Sequence, residues 1–252
     1  MPRKKIKLIT LDLDDTVWPN HKVILDAEKT LWTYVKNKTT SLDEGFGEKE
    51  ISKIRLELLE QDPLIKFDLT RFRKEIVREI FLQDGKDDAE ANYYSNEAFS
   101  EFFKVRNKVH LYKDAKLGLE RLSRKTMVGS LSNGNADLSI IGISSYFSFS
   151  VISSDVNSNK PSPGHFLKAL EIAKCDASEA LHIGDCPVND VGGARNCNFN
   201  TIWFNCDRKK RDEIFPREQQ PKNRKQHKQG LKTRKQGLKN RKQGLKRSIR
   251  VY

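Results

Sequence analysis

Residues 8–18 read LITLDLDDTVW, a run of strand-forming residues followed directly by three aspartates among four positions. In an extended segment, side chains two positions apart point to the same side. Asp12 and Asp14 would therefore bring two like charges together, and such a pair resists joint ionisation. The pattern predicts that a positive charge lies between these two carboxylates.

Short runs rich in β-branched and aromatic residues recur along the chain, and they predict five strands. Stretches with the spacing of amphipathic helices separate the last four of these runs. Alternating strands and helices of this length predict an α/β fold, with a parallel sheet and helices on both faces. The predicted strands cover residues 6–11, 127–131, 147–153, 181–183 and 201–204, and the predicted helices cover 113–124, 163–174 and 188–197.

About a hundred residues between the first two predicted strands have a different pattern of apolar residues. Their apolar residues recur with helical periodicity and show few strand signals. This pattern predicts a small helical module inserted into the α/β core. Its predicted helices cover residues 20–37, 49–60, 68–82 and 87–106.

The composition excludes several classes of protein. With 252 residues, of which 37% are hydrophobic, the chain can form one sizeable domain or two small ones. Its apolar runs are too short to span a membrane, and Asp12 interrupts the basic start before a signal-peptide core could form. The four cysteines form no CxxC pair, which favours reduced thiols in a cytoplasmic protein. The oligomeric state stays open.

The net charge of +13 comes from the C-terminal segment. Residues 208–252 hold 18 basic and 3 acidic residues, a net charge of +15, which leaves a net charge of −2 for the rest. A KQGLK repeat that starts at Lys228, Lys235 and Lys242 has one leucine and a helix-disfavouring glycine per seven residues, so we expect disorder. The segment could bind nucleic acid or another anionic polymer, or it could be a slippage product without a role. Deletion of 208–252 would separate these alternatives.

Polar side chains follow four of the five predicted strands. Each of them alone is compatible with a turn or a solvated surface. Because the carboxyl ends of parallel strands meet at one edge of the sheet, where ligands bind, we expect these groups to converge. Acids at two strand ends and a lysine at a third predict an oxygen-ligand metal site with a cation opposite. Mg²⁺ suits it, since carboxylates and a substrate phosphate bind this ion. The set is Asp12, Asp14, Ser132, Asn133, Lys160, Asp185 and Asp190.

The segments DLDDT, LSNGN, the lysine of NKPSP, and GDCPVND resemble, in this order, the four motifs of the haloacid dehalogenase-like superfamily. The similarity spans about residues 6–205. It implies a Rossmann-like core formed by residues 1–16 and 108–207, with residues 17–107 as a helical C1-type cap and 208–252 as a tail. Two departures stand out: Cys186 replaces a second acid of many relatives, and the basic repeat replaces the usual last strand and helix.

The resemblance also implies roles for the strand-end residues. Asp12 is the nucleophile that takes the phosphoryl group, and Asp14 is the general acid for the leaving alkoxide and then the base for water. Family dehalogenases lack this second acid, so its presence predicts a phosphatase, and the intact set argues against ligand binding without turnover. The remaining implied roles are phosphate or substrate binding by Ser132, Asn133 and Lys160, Mg²⁺ ligation by Asp12, the backbone carbonyl of Asp14 and Asp185, and support from Asp190.

Two stretches, DLDDTVWPNHKVILDAE and DLTRFRKEI, look similar to bacterial phosphatases of riboflavin biosynthesis. This resemblance implies 5-amino-6-(5-phosphoribitylamino)uracil and flavin mononucleotide (FMN) as leading substrates, with another sugar phosphate or nucleotide as the alternative. Arg71 and Arg73 are candidate substrate contacts, although solvated surface arginines are equally compatible. Trp18 could stack on a flat heterocycle, but a core aromatic is the favoured interpretation.

Overall fold

Five parallel strands form the sheet that the sequence predicts. They are β1 (Leu8–Leu11), β2 (Met127–Ser132), β3 (Phe149–Ile152), β4 (Ala180–Gly184) and β5 (Asn200–Trp203), in the order β3-β2-β1-β4-β5. All four pairings are parallel. The structure is a computed structural model that describes residues 5–40 and 47–206. The chain divides into two units, and the sheet with its helices belongs to the first, Met1–Phe204. The predictions of a disordered tail and of anionic-polymer binding by residues 208–252 lie outside the described residues.

The central strand β1 is buried on both faces, which is why its sequence is almost wholly apolar. Ile9 and Leu11 pack on one face beneath α5 (Ala115–Ser123), while Leu8 packs on the other beneath α8 (Gly164–Ala173). The polar Thr10 bonds through Oγ1 to Nδ1 of His182 on β4, at 2.8 Å. The predicted α/β architecture is therefore confirmed.

Four long helices form the insert, each within two residues of its predicted bounds. They are α1 (His21–Lys38), α2 (Glu48–Gln61), α3 (Leu69–Gln83) and α4 (Asp88–Arg106). Aspartate side chains cap α3 and α4, where Asp68 accepts a bond from the Arg71 amide and Asp87 from the Glu90 amide. The helices share a hydrophobic cluster of their own. The division at residues 16/17 and 107/108 stays a prediction, because residues 1–204 form one unit.

The prediction of a single helix over residues 188–197 is wrong, because two helical segments of different type cover this range. The structure has a π-helix, Pro187–Gly192, followed by the short α9, Gly193–Asn196. The wider turn lets the Asp190 carboxylate turn back and accept the Cys186 amide at 2.9 Å. Gly184 makes room for this return, since a β-carbon there would lie 2.3 Å from Cγ of Asp190.

Several short elements are absent from the sequence-based prediction, because each is too brief to show a periodicity. They are α6 (Leu138–Ile141), α7 (Ser153–Val156) and the 3-10 turns Ile65–Phe67, Ser144–Tyr146 and Ala177–Glu179. Within the described residues, no helix combines the length and the apolar composition needed to cross a bilayer.

Candidate active site

The side chains that follow the strands converge at the carboxyl edge of the sheet, with Lys160 at the centre. Its Nζ donates to Oδ1 of Asp12 at 2.6 Å, to Oδ1 of Asp190 at 2.7 Å and to the Leu131 carbonyl at 2.6 Å. The residue is only 3% exposed. Burial alone would lower the pKa of Lys160, but the two carboxylates outweigh it and raise that pKa. The ammonium is therefore charged and has a partner for each of its three protons.

Asn133 fixes the backbone that carries Lys160. Its side-chain Oδ1 accepts from the Lys160 amide at 2.8 Å, and its Nδ2 donates to the Lys160 carbonyl at 3.0 Å. These paired bonds join the loop after β2 to the loop after β3. The side-chain amide is therefore engaged with backbone, and the expected substrate contact of Asn133 stays a prediction.

Asp12 is placed by the end of β1. Its amide donates to the Ile183 carbonyl of β4, and its Oδ2 accepts from the Thr16 hydroxyl at 3.2 Å. Burial raises the pKa of Asp12, Lys160 counteracts part of this rise, and the nearby charge of Asp190 adds to it. A further positive charge would favour the carboxylate form that a nucleophile needs.

Three carboxylates form a cluster of metal-ligand type: Asp12, Asp185 and Asp190 offer oxygens that all lie within 4.8 Å of one another. An all-oxygen donor set fits a hard cation such as Mg²⁺. Burial and the charges of Asp190 and Asp15 raise the pKa of Asp185 to about 6, and a cation would relieve that repulsion. The structure thus brings Asp12 and Asp185 close enough to share an ion. Ligation by the Asp14 carbonyl stays a prediction.

Asp190 is the most heavily bonded of these acids. Besides Lys160 and the Cys186 amide, its Oδ1 lies 3.3 Å from Nε2 of His182. Burial alone would raise the pKa of Asp190, but the His182 hydrogen bond and the Lys160 charge lower it. Burial lowers the pKa of His182, so its ring is neutral, with Nε2 donating to Asp190 and Nδ1 accepting from Thr10. Asp190 is therefore a fixed carboxylate, which suits the supporting role predicted for it.

The Asp14 carboxylate has a different set of hydrogen-bond partners. β1 ends at Leu11, and the chain turns through Asp15, whose φ is 60°. The Asp14 carboxylate accepts from Nη2 of Arg106 at 2.7 and 2.9 Å, and from Nε1 of Trp18 at 3.0 Å. Each carboxylate therefore has a cationic partner of its own, Lys160 for Asp12 and Arg106 for Asp14, and the positive charge expected between the two acids stays a prediction. Burial raises the pKa of Asp14, and Arg106 opposes the rise.

Arg106 is one of the residues at this site that the sequence-based prediction missed. Its spacing from Phe99 and Phe102 puts it on the buried face of α4, and it is 2% exposed. A charged residue at an apolar helical position is a signal that could have identified it.

Ser132 ends β2 beside this group. Its Oγ accepts from the Gly134 amide at 2.9 Å, and its carbonyl accepts from Nε2 of His165 at 3.1 Å. A β-carbon at Gly134 would lie 2.7 Å from Oδ2 of Asp14 and 3.2 Å from Nη2 of Arg106. Only glycine allows this loop to approach the Asp14–Arg106 pair so closely.

The two arginines named as candidate substrate contacts, Arg71 and Arg73, have acidic partners within the insert. Nη1 of Arg71 lies 2.8 Å from Asp62, and Nη2 of Arg73 lies 2.5 Å from Glu28. The Arg73 guanidinium also lies over the Phe102 ring, 4.1 Å from its centroid. Trp18 is fully buried, as the core-aromatic interpretation expects.

A cavity lies between the insert and the core, and the described residues that line it do not include Asp12, Asp14 or Lys160. It has a volume of about 500 Å³ and is lined by Thr70 and Phe103 of the insert and by Asn135, Asp155 and neighbouring core residues. Nδ2 of Asn135 donates to Oγ1 of Thr70 at 3.2 Å, which links the loop after β2 to α3.

Comparisons with known proteins agree with this geometry. The family model described as haloacid dehalogenase-like hydrolase matches residues 6–198. The chain is 30% identical to the 5-amino-6-(5-phospho-D-ribitylamino)uracil phosphatase YigB of Escherichia coli, over 81% of this chain and 85% of that protein. It is 32% identical to a phosphoserine phosphatase of Thermus thermophilus, over 52% and 54% of the two chains. A crystal structure of a 2-haloacid dehalogenase from Pseudomonas syringae superposes with a TM-score of 0.78 and 34% identity, over 82% of this chain and 90% of that one.

Proposed function

The chain belongs to the haloacid dehalogenase-like hydrolase family, and from this premise we propose that it is a Mg²⁺-dependent phosphatase of a small phosphomonoester. The observation that carries the proposal is the position of Lys160, which is buried between Asp12 and Asp190 at the edge of the sheet. This arrangement supports the proposal, because the proposed nucleophile Asp12, a buried cation and a cluster of carboxylates lie around one point, as phosphoryl transfer requires.

In the first step, an Asp12 oxygen attacks the phosphorus, and the bond from phosphorus to the ester oxygen breaks. The electron pair of that bond goes to the leaving oxygen, which takes a proton from Asp14. Such proton transfer contributes about 10²–10⁴-fold to the rate. Lys160 and Ser132 would hold phosphoryl oxygens during this transfer.

In the second step, water attacks the phosphorus of phosphorylated Asp12. Its proton passes to the Asp14 carboxylate, the bond from phosphorus to Asp12 breaks, and inorganic phosphate leaves. Splitting the hydrolysis in this way replaces one difficult step with two easier ones. Asp12 and Asp185, with Asp190 in support, would hold Mg²⁺, which offsets negative charge on the transferring group when bound.

Two relatives point to different chemistry, and Asp14 favours one of them. The Pseudomonas syringae structure is named a dehalogenase, whereas the Escherichia coli relative is named a phosphatase. A halide leaves without a proton, but an alkoxide needs one. Asp14 lies two residues from the proposed nucleophile, and we propose that it supplies the proton that only the phosphate ester needs.

For the substrate, we propose 5-amino-6-(5-phosphoribitylamino)uracil, with FMN as a second candidate. The support is the similarity to YigB, which extends over most of both chains. Another sugar phosphate or nucleotide is the alternative. We propose that residues 17–107 act as a cap over the site and contribute to this selection.

The test uses the purified full-length chain with p-nitrophenyl phosphate. We expect turnover with Mg²⁺ and none with EDTA. Asp12→Asn should abolish turnover and the acid-stable label left by radiolabelled substrate, whereas Asp26→Asn, at an exposed site on α1, should retain both. Activity in Asp12→Asn would refute the nucleophile assignment.

A substrate panel completes the test. It contains the ribitylaminouracil phosphate, FMN, phosphoserine, sugar phosphates, and 2-chloropropionate with halide detection. The highest kcat/KM for the ribitylaminouracil phosphate would support the substrate proposal. Release of halide from 2-chloropropionate, without release of phosphate from any ester, would overturn the phosphatase proposal.

A further inference from the structure

Arg106 is a buried guanidinium that serves one carboxylate. It is the last residue of α4 and lies 92 positions from Asp14 in the chain. Its Nη2 donates to both oxygens of Asp14, and the residue is 2% exposed. Burying a charge is costly unless a partner compensates it. Within residues 5–40 and 47–206, Nη1 of Arg106 is buried and has no hydrogen-bond partner. The ion pair with Asp14 is therefore the interaction that compensates the buried charge of Arg106.

Asp14 is held from two directions. Arg106 approaches from the insert, and the indole of Trp18, itself fully buried, donates to Oδ1. A carboxyl side chain turns freely about two bonds, and donors from two directions restrict that rotation. Its orientation is thus set before any substrate arrives.

The same guanidinium lies beside the loop that carries Ser132. A β-carbon at Gly134 would lie 3.2 Å from Nη2 of Arg106 and 3.3 Å from Oγ of Ser132. Arg106 therefore stands next to the proposed acid and to a proposed phosphate ligand. A group in this place can align the proton-carrying oxygen with the substrate.

We propose that Arg106 is a positioning residue that holds Asp14 in the orientation from which it exchanges a proton with the leaving oxygen and then with water. This inference rests on the proposed phosphatase function. When the ester bond breaks, the proton moves from Asp14 to the leaving oxygen, and the carboxylate that remains stays paired with Arg106. Since Arg106 ends α4, the alignment of Asp14 depends on the placement of the inserted helices.

The test compares two esters with different leaving groups. The p-nitrophenolate group leaves without a proton, whereas the alkoxide of β-glycerophosphate needs one. In Arg106→Met, kcat/KM for β-glycerophosphate should fall about 100-fold, and kcat/KM for p-nitrophenyl phosphate should stay within about threefold, since no acid assists that first step.

The second step gives an independent readout. Water attack on the phosphorylated chain still needs Asp14 as a base, so kcat for p-nitrophenyl phosphate should fall in Arg106→Met while kcat/KM holds. Released p-nitrophenolate should then show a burst equal to the enzyme concentration. Arg106→Lys, which keeps one donor, should recover part of the loss with both esters.

The matched control is Arg78→Met. Arg78 is a partly buried arginine of α3 whose ion pair with Asp88 ties α3 to α4, away from Asp14. We expect its ratio of the two kcat/KM values to equal that of the wild type. The proposal would be overturned if Arg106→Met lowered kcat/KM equally for both esters, or lowered it for neither.

Should Arg106→Met fail to fold, Arg106→Lys carries the same comparison, and an unchanged ratio there would overturn the proposal. Failure of the phosphatase function itself is distinguishable, because the wild-type chain would then hydrolyse neither ester.

Discussion

Replacing Lys160 with methionine removes the cation from the centre of the site while keeping a side chain of similar length. The variant leaves Asp12 and Asp190 with carboxylate oxygens within 4.8 Å of each other. At an effective dielectric constant near 20, two unit charges at that separation repel by about 3.5 kcal/mol. Removing one partner of a buried ion pair costs roughly 3–5 kcal/mol. Both values predict that Lys160→Met lowers the free energy of unfolding by about 3–5 kcal/mol above neutral pH without a divalent cation.

The dependence of stability on pH and on Mg²⁺ would identify the repulsion between Asp12 and Asp190 as the cause of the lower stability. Without Lys160, the pKa of Asp12 rises further above its ordinary value of 3.8. A carboxyl group whose folded pKa is raised contributes stability below its unfolded pKa and loses that contribution as pH rises through the folded pKa. The deficit of Lys160→Met should therefore be smaller at pH 5 than at pH 8. A divalent cation supplies positive charge to the same carboxylates, so saturating Mg²⁺ should stabilise the variant more than the wild type.

The assay is urea unfolding followed by tryptophan fluorescence at pH 5 and pH 8, with EDTA or Mg²⁺. Lys168→Met is the control, because the Lys168 side chain on α8 is partly exposed and pairs with Glu171. It should change the free energy of unfolding by less than about 0.5 kcal/mol. The reasoning would be refuted if Lys160→Met had the same free energy of unfolding as the wild type at pH 8 in EDTA. It would also be refuted if Mg²⁺ raised the free energy of unfolding of both proteins equally.

Further predictions concern stability and loop placement. Burial lowers the pKa of His165 to about 4 from 6.5, so the ring is neutral in the fold. Its contribution is present above pH 6.5 and is lost as pH falls towards 4. Urea unfolding should show about 1 kcal/mol lost per pH unit in that window, and His165→Asn should flatten this slope. Phe81→Ala in the core of the insert should cost about 3–5 kcal/mol in the same assay, since Phe81 is fully buried. Asn133→Ala removes both bonds to the Lys160 backbone and should cost about 1–3 kcal/mol, with a lower kcat for p-nitrophenyl phosphate.

Outcomes that contradict these three predictions are specific. A His165→Asn slope equal to that of the wild type would show that another group titrates. A Phe81→Ala loss below about 1 kcal/mol would mean that the helices repack. An unchanged kcat in Asn133→Ala would show that Lys160 keeps its place without the paired bonds.

The sequence correctly predicted the features that depend on local patterns and on the sheet topology that these patterns imply. The apolar run of β1 predicts a buried central strand, because such a strand has no face for polar residues. The convergence of Asp12, Lys160 and Asp185 follows from the parallel sheet, since its topology brings their loops to one edge. Topology alone was sufficient there.

The pairing of Asp14 with Arg106 could not be predicted in the same way. It joins residues 92 positions apart across two parts of the fold, and no local pattern encodes their contact. The π-helix before α9 was missed for a different reason. Its form depends on the contact between Asp190 and the Cys186 amide, which a helical periodicity does not reveal.

An ammonium group with all of its protons engaged can bind a new anion only by exchanging partners. An incoming phosphate oxygen must displace Asp12, Asp190 or the Leu131 carbonyl from Lys160. In the proposed mechanism Asp12 is the partner that leaves, because its bond to phosphorus in the acyl phosphate would make its oxygen a poorer acceptor when phosphoryl oxygens come within reach. The Lys160 ammonium would thus exchange a carboxylate partner for a phosphate partner without being exposed to water. The free-energy cost of removing its hydration would then be incurred once, on folding, and not in each turnover.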